Sequence, residues 1–418
     1  MFENHPLRAR LNDEIHLRRM PPLAPPLCMT QTVRLVEAGS RVAEFDHVAA
    51  MPGVRSGPLK QGSRDSNSRA PGGLELLWER HSEASTATVI APSREEDPFA
   101  TQDQAALEWL EAAPGAVLRA TRIAIVATVA SAERLLPGFG FSQENLVSCW
   151  IGETRIWSDF RLGADGYGRL LVASGDILPA DLGRTVQRLQ ELGNYRNLAL
   201  LGLPLSQEEG VLLGELEAQL GHITQRIPGA SPGAEAALLD ELCELSAQAA
   251  AIGARTSFRM SATQAYAQIA HDRLESLASR PIEGFQSLAD FTDRRMLPAV
   301  RTCASFVQRL EGLSVRIERC GSLLRTRVEL AMQASNATLL RSMDTNAARQ
   351  LELQKLVERL SVIAVSYYAF SLLAEAFPLA GEWLGVSEAD LRAWFILPVI
   401  ATVAIYLHWC SRSLGRPT

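Results

Sequence analysis

Apolar positions along the chain change period, and the changes divide it into regions. From Gln286 onward the pattern is helical. Phe306, Leu310, Leu313, Ile317, Cys320, Leu324, Val328 and Ala331 recur at steps of three and four, the spacing that sets side chains on one helix face and forms a coiled-coil or bundle seam. No proline falls between Pro298 and Pro378, and within that stretch only Gly312 and Gly321 interrupt the pattern. One helix from Gln286 to Phe377 would be ~138 Å long. Continuing the seam gives a hydroxyl-bearing row, Ser335, Thr338, Ser342 and Thr345, beside an apolar stripe of Leu339, Met343, Ala347 and Leu351. Around the axis of an oligomer the hydroxyl row would line a polar conduit; on a lone helix it faces water.

Two segments near the end are apolar, the first apart from hydroxyl residues and Glu375. Leu360 to Phe377 spans ~27 Å as a helix, and Trp394 to Cys410, free of Asp, Glu, Lys and Arg, spans ~26 Å, against a hydrocarbon core of ~30 Å. Trp383, Trp394 and Trp409 stand at segment ends, where aromatic rings favour the headgroup layer. Arg341, Arg349, Lys355 and Arg359 precede the first segment and Arg412 and Arg416 follow the second, while the loop between holds only Arg392 against Glu382, Glu388 and Asp390. That asymmetry predicts both termini in the cytoplasm. Tyr368, Ser371 and Glu375 share one face of the first segment. An acid in a span is a functional candidate, although Glu375 lies near the far end, within reach of water. With the hydroxyl row, these three are the candidate pore-facing or bundle-facing residues. Pro398 is placed to bend the second segment.

Upstream the periodicity is mixed. Met29–Val36, Leu74–Trp78, Thr86–Ala91 and Arg122–Val129 read as strands, and Thr154–Arg161 and Gly168–Ala173 flank GADGYG, a hairpin signal. Met51–Gly73, rich in Pro, Gly, Ser and Arg, reads as a mobile loop. Pro179–Ile227 and Ala234–Arg280 read as two helices separated by PGASPG. The predicted class is an α+β cytoplasmic domain (1–178, with its loop at 51–73), a helical region (179–285), a long helical stalk (286–359), a two-helix C-terminal transmembrane hairpin (360–377 and 394–410) and a short cytoplasmic tail (411–418).

Composition changes this picture little. A chain of 418 residues with net charge -6 is not suited to nucleic acid as a whole. Lys60 and Lys355 are its only lysines, a bias we attribute to GC-rich coding. Residues 286–360 are net basic, which weakly favours anionic headgroups. Cys28, Cys149, Cys243, Cys303, Cys320 and Cys410 form no CxxC pair, so reduced thiols in a cytosolic body are expected. The N-terminus lacks an apolar signal core. His5, Asp13, Glu14 and His16 are metal-ligand types at a spacing that matches no defined site, and Asn12 suits a helix cap. Arg294 and Arg295 are expected in ion pairs. No GxxxxGK[ST], HExxH or GxGxxG occurs, and no catalytic residue, cofactor or metal site is assigned.

Three stretches carry a family resemblance: HPLRARLNDEIH at His5–His16, SFRMSATQAYAQIAHDRL at Ser257–Leu274, and NATLLRSMDTNAARQLELQKLVERLSVIAVSYYAF at Asn336–Phe370. In this order they resemble the bacterial family named domain of unknown function 3422. The resemblance implies a proteobacterial membrane protein with no assigned activity, and the expected location is the bacterial inner membrane. The layout is also similar to CorA-type channels, but LLAEAFPLAGEW at Leu372–Trp383 stands where those channels carry Gly-Met-Asn. The expected function is a self-associating, membrane-anchored scaffold or interaction protein whose partners are the bilayer and copies of itself. A CorA-like cation channel or transporter is the alternative, with an ion as partner, and a membrane-bound enzyme comes after it.

Overall fold

In a computed structural model, the residues described are 4–8, 12, 20–55, 59, 63–100, 103–376, 378, 385 and 387–414. The chain divides into two compact units, residues 1–228 with 238–320, and residues 229–237 with 321–418.

The first unit is built on a ten-stranded sheet: β1 (Leu27–Leu35), β2 (Val54–Arg55), β3 (Asp65–Ala70), β4 (Leu74–Arg80), β5 (Ala84–Pro92), β6 (Ala116–Val126), β7 (Val147–Ile151), β8 (Thr154–Ser158), β9 (Gly168–Ala173) and β10 (Arg280–Pro281), in the order β10-β7-β8-β9-β6-β1-β5-β4-β3-β2. Pairing is antiparallel except between β6 and β9. That parallel step requires a crossover, supplied by α3 (Val129–Phe139), which is capped by Thr128 through Ser131 N at 3.1 Å and closed by Gly140 in the left-handed conformation. Helices cover both faces. On one side α1 (Arg41–Ala49) and α2 (Gln104–Glu111) pack with Val48, Ala106, Trp109 and Leu110 over β4 and β5, and α3 packs over β6, β8 and β9. On the other, α4 (Pro179–Leu200) lays Leu182, Val186, Leu189 and Leu192 on Met29, Ile123, Ile125, Leu170 and Val172. A sheet covered on both faces loses the in-out alternation that marks a half-exposed strand, which is why β1 and β5 are buried along most of their length.

Three long helices follow α4: α5 (Gly202–Arg226), α6 (Pro232–Leu277) and α7 (Leu288–Ala374). The predicted helix Pro179–Ile227 is thus two, turning at Leu201. The second begins at Gly202, where an added Cβ would collide with Thr263 and lie 3.3 Å from Cys303 Sγ, so glycine permits the close approach of α5 to α6 and α7 there. The predicted seam is buried at Phe306, Leu313 and Ile317, within a unit where α5 meets α7 through the Glu217–Arg309 pair at 2.7 Å. This half of the seam is therefore consumed inside the chain.

The stretch expected to be a mobile loop holds β2, β3 and a turn at Pro71–Gly73. Its polar sequence misled because β3 (DSNSRA) is held by backbone pairing to β4 along Asp65–Ala70 rather than by apolar burial. Asp13, Glu14 and His16 lie outside the described residues, as do Trp383 and Arg416. Among the described residues Cys28, Cys149, Cys243, Cys303 and Cys320 form no disulfide, and burial pushes the Cys149 thiol up to about 12.

In the second unit, Arg327 of α7 bonds Glu235 at 2.9 Å and the Ala230 carbonyl at 3.3 Å. The last helix is α8 (Glu388–Leu414). Two of the described helices are long and apolar enough to cross a membrane, α7 and the Ala389–Tyr406 part of α8.

Ile123 is fully buried in the cluster under α4, whereas Val117 of the same strand is 50% exposed. Ile123→Ala should destabilise the protein by about 2–5 kcal/mol and Val117→Ala by no more than about 0.5 kcal/mol, measured by denaturant unfolding in detergent.

Candidate functional site

The residues singled out from sequence fall on the second unit. Thr338, Ser342 and Thr345 are exposed and return their hydroxyls to helix carbonyls of Ala334, Leu339 and Ser342 at 2.8–2.9 Å; Ser335 is exposed as well. These bonds are the local ones that serine and threonine make in a helix, so the row presents few free hydroxyls. The neighbouring stripe is also open, with Leu339 58%, Met343 66% and Leu351 57% exposed. Tyr368 is exposed and meets Tyr367 edge-on at 5.8 Å, and Ser371 is partly covered. Glu375 sits exposed in the turn just beyond the end of α7 at Ala374. Arg294 and Arg295 are exposed and, among the described residues, form no ion pair, a correction to the expectation. Lys355, Glu358, Arg359 and Val362 of α7 line a groove with Ala404, Ile405, His408 and Trp409 of α8, so the two apolar helices run antiparallel at that level.

The densest unexplained chemistry lies instead in the first unit, where α4 crosses the sheet. Along α4 the buried stripe Leu182, Val186, Leu189 continues at the same three-four steps to Gly193 and Arg196. On β6, Arg119 alternates with Thr121, Ile123 and Ile125 and so shares the strand face that meets α4. A polar row results. Arg119 donates from Nη1 to Gln190 Oε1 and to Asn194 Oδ1, both at 2.7 Å. Asn194 donates to Gln31 Oε1 at 3.2 Å, and Gln31 donates to Thr88 Oγ1 at 3.0 Å. Arginine can only donate, so each amide orientation along the row follows from it. The guanidinium lies against the α4 backbone: a Cβ at Gly193 would come within 2.8 Å of its central carbon.

Arg196 is 9% exposed and rests beside the stacked pair of Phe160 and Phe291, with its guanidinium carbon 4.9 Å from the Phe160 ring and 5.0 Å from the Phe291 ring. Phe160 has φ 51, a strained conformation for an aromatic residue. It is held by its own N–H bonded to Ser158 Oγ at 3.1 Å and by Asp159 accepting from the Arg161 and Ser142 N–H groups at 3.1 and 3.0 Å. Burial lowers Arg119 to about 9, with the charge of Arg196 adding to the effect, and burial lowers Arg196 to about 10. Both remain cations at neutral pH. Among the described residues no carboxylate pairs with either, and together they line a cavity of about 210 Å³ that also touches Arg161, Arg169 and Asn197. Arg169 is engaged by Asp165 at 3.2 Å.

Sequence reading passed over both arginines. The available signal was a cation at the next step of an apolar helical stripe, Leu182, Val186, Leu189, Gly193, Arg196, and another on a strand otherwise rich in isoleucine.

The arrangement makes Gly193 a support for Arg119. Gly193→Ala should destabilise by about 1–3 kcal/mol, because charged hydrogen bonds are lost. In an Arg119→Met background the same change should become neutral or stabilising by up to about 1 kcal/mol, the helix-propensity gain of alanine, as read by a double-mutant cycle.

No curated protein and no solved structure matches the chain, and the likeness to CorA-type channels finds no support there. The family described as "Protein of unknown function (DUF3422)" matches residues 3–414, nearly the whole chain, and this protein therefore belongs to that family.

Proposed function

We propose that this protein is a self-associating scaffold or interaction protein anchored in the bacterial inner membrane, with the end of α7 and most of α8 crossing the bilayer and both termini in the cytoplasm. One observation carries the reading. The apolar window of α7 is only 6% buried, and Leu360, Ile363, Tyr367 and Leu372 are 58%, 67%, 69% and 71% exposed. Apolar surface left in water costs roughly 25 cal/mol per Å², and a patch of this kind marks a surface with another environment to meet. For a helix pair flanked by Lys355 and Arg359 and carrying Trp394 and Trp409 at its ends, lipid supplies that environment. The antiparallel groove between α7 and α8 suits a hairpin that enters and returns.

The stripe of Leu339, Met343 and Leu351 precedes the span and is equally uncovered. A second copy of α7 is the occupant this reading assigns to it. Self-association therefore moves away from Phe306–Ile317, which is covered inside the chain, to the segment nearer the bilayer.

Alkaline carbonate extraction tests the anchor. The full chain should stay with the membrane pellet and a chain ending before Leu360 should be released; release of the full chain would end the reading. Mass measurement in nanodiscs tests the association. Leu339→Asp with Met343→Asp should convert oligomers to monomers, and a monomeric wild type would remove the scaffold half of the proposal.

A further inference from the structure

We propose that the cavity walled by β6, residues 158–162 and α4 binds a phosphoryl group, free or at the end of a small molecule, between the guanidiniums of Arg119 and Arg196. The inference stands independently of the membrane reading. Buried charges in folded proteins are paired, because an isolated one carries a heavy desolvation cost. Here four arginines line one cavity with no acidic residue among its walls; Arg169 is engaged by Asp165 and Arg161 is exposed, which leaves Arg119 and Arg196 without a carboxylate, and Arg196 has only aromatic rings for partners among the described residues. Gln190 adds a buried Nε2 donor with no acceptor. All these groups donate and none accepts, so the missing component is an anion rich in acceptor oxygens.

Charge selects its class. Two buried guanidiniums call for two negative charges. A phosphoryl group carries about -1.5 to -2 at neutral pH, whereas a single carboxylate carries one. Planar guanidiniums also match the oxygen spacing of phosphate in paired hydrogen bonds. Size agrees: a cavity of about 210 Å³ holds a phosphate and a few waters at ~30 Å³ each, and it is smaller than the ~300 Å³ lower bound for sites that enclose a drug-sized ligand. The Phe160 and Phe291 rings wall off water on one side of Arg196, which strengthens a charged contact there.

The test is titration of the full chain in nanodiscs with inorganic phosphate, against acetate and chloride at equal ionic strength. Saturable phosphate binding with a raised unfolding temperature is expected, and acetate should give neither. Arg196→Met should weaken phosphate binding by about 30-fold or more. In phosphate-free buffer it should unfold at a higher temperature than wild type, because an uncompensated charge has been removed; a residue serving only to pack against the rings would show the opposite. Glycerol phosphate that competes would identify the phosphoryl end of a larger ligand, and failure to compete would identify inorganic phosphate itself. The proposal is overturned if wild type shows no saturable phosphate response, if acetate acts equally, or if Arg196→Met and Arg119→Gln bind phosphate as wild type does.

Discussion

The contact of α4 with the sheet depends on one donor that cannot reverse its role. Arg119 donates to Gln190 and Asn194, and through Asn194 it dictates how Gln31 meets Thr88 across β1 and β5. On one side of this row lies the apolar cluster with Leu182, Val186, Leu189 and Leu192, and on the other the cluster with Val33, Leu198 and Ala199. Apolar burial supplies the adhesion and is tolerant of small shifts. The polar row is directional and fixes where along the sheet the helix rests, which is the specificity that satisfied buried networks provide. The energetic exception is the charge itself, since neither Arg119 nor Arg196 has a carboxylate partner among the described residues. A phosphoryl anion completes the network.

The helical part follows a different logic. The seam positions Phe306, Leu313 and Ile317 of α7 are covered within the first unit, whereas Leu339 to Leu372 expose large apolar side chains almost continuously. The same helical periodicity is thus spent in one stretch on intramolecular packing and in the next on an environment outside the chain. Periodicity alone does not distinguish the two, because a stripe of leucines has the same spacing whichever surface covers it.

That contrast explains what was legible in the sequence. The long helix from Leu288, the apolar C-terminal pair and the hairpin of β8 and β9 were readable because periodicity, length and turn chemistry agree in each. The polar strand β3 was not, since its stability comes from pairing to β4. The break at Leu201 was hidden because no proline stands there and helical periodicity continues on both sides of it. Glu375 was assigned to a helical face that ends one residue earlier, at Ala374. Arg119 and Arg196, the residues with the strongest claim to a site, are far apart in sequence and meet only when β6 and α4 are packed. Each alone looks like an ordinary arginine in a chain that uses arginine almost everywhere.

The most direct measurement of the central claim, that the buried arginine pair is completed by an anion, is an anomalous difference map from crystals of the protein soaked in selenate, a tetrahedral dianion with its own scattering signal. The expected result is a peak in the cavity with its oxygens about 3 Å from guanidinium nitrogens of both Arg119 and Arg196. A well-ordered map with no peak there, or with the anion held only by exposed arginines elsewhere, would contradict it.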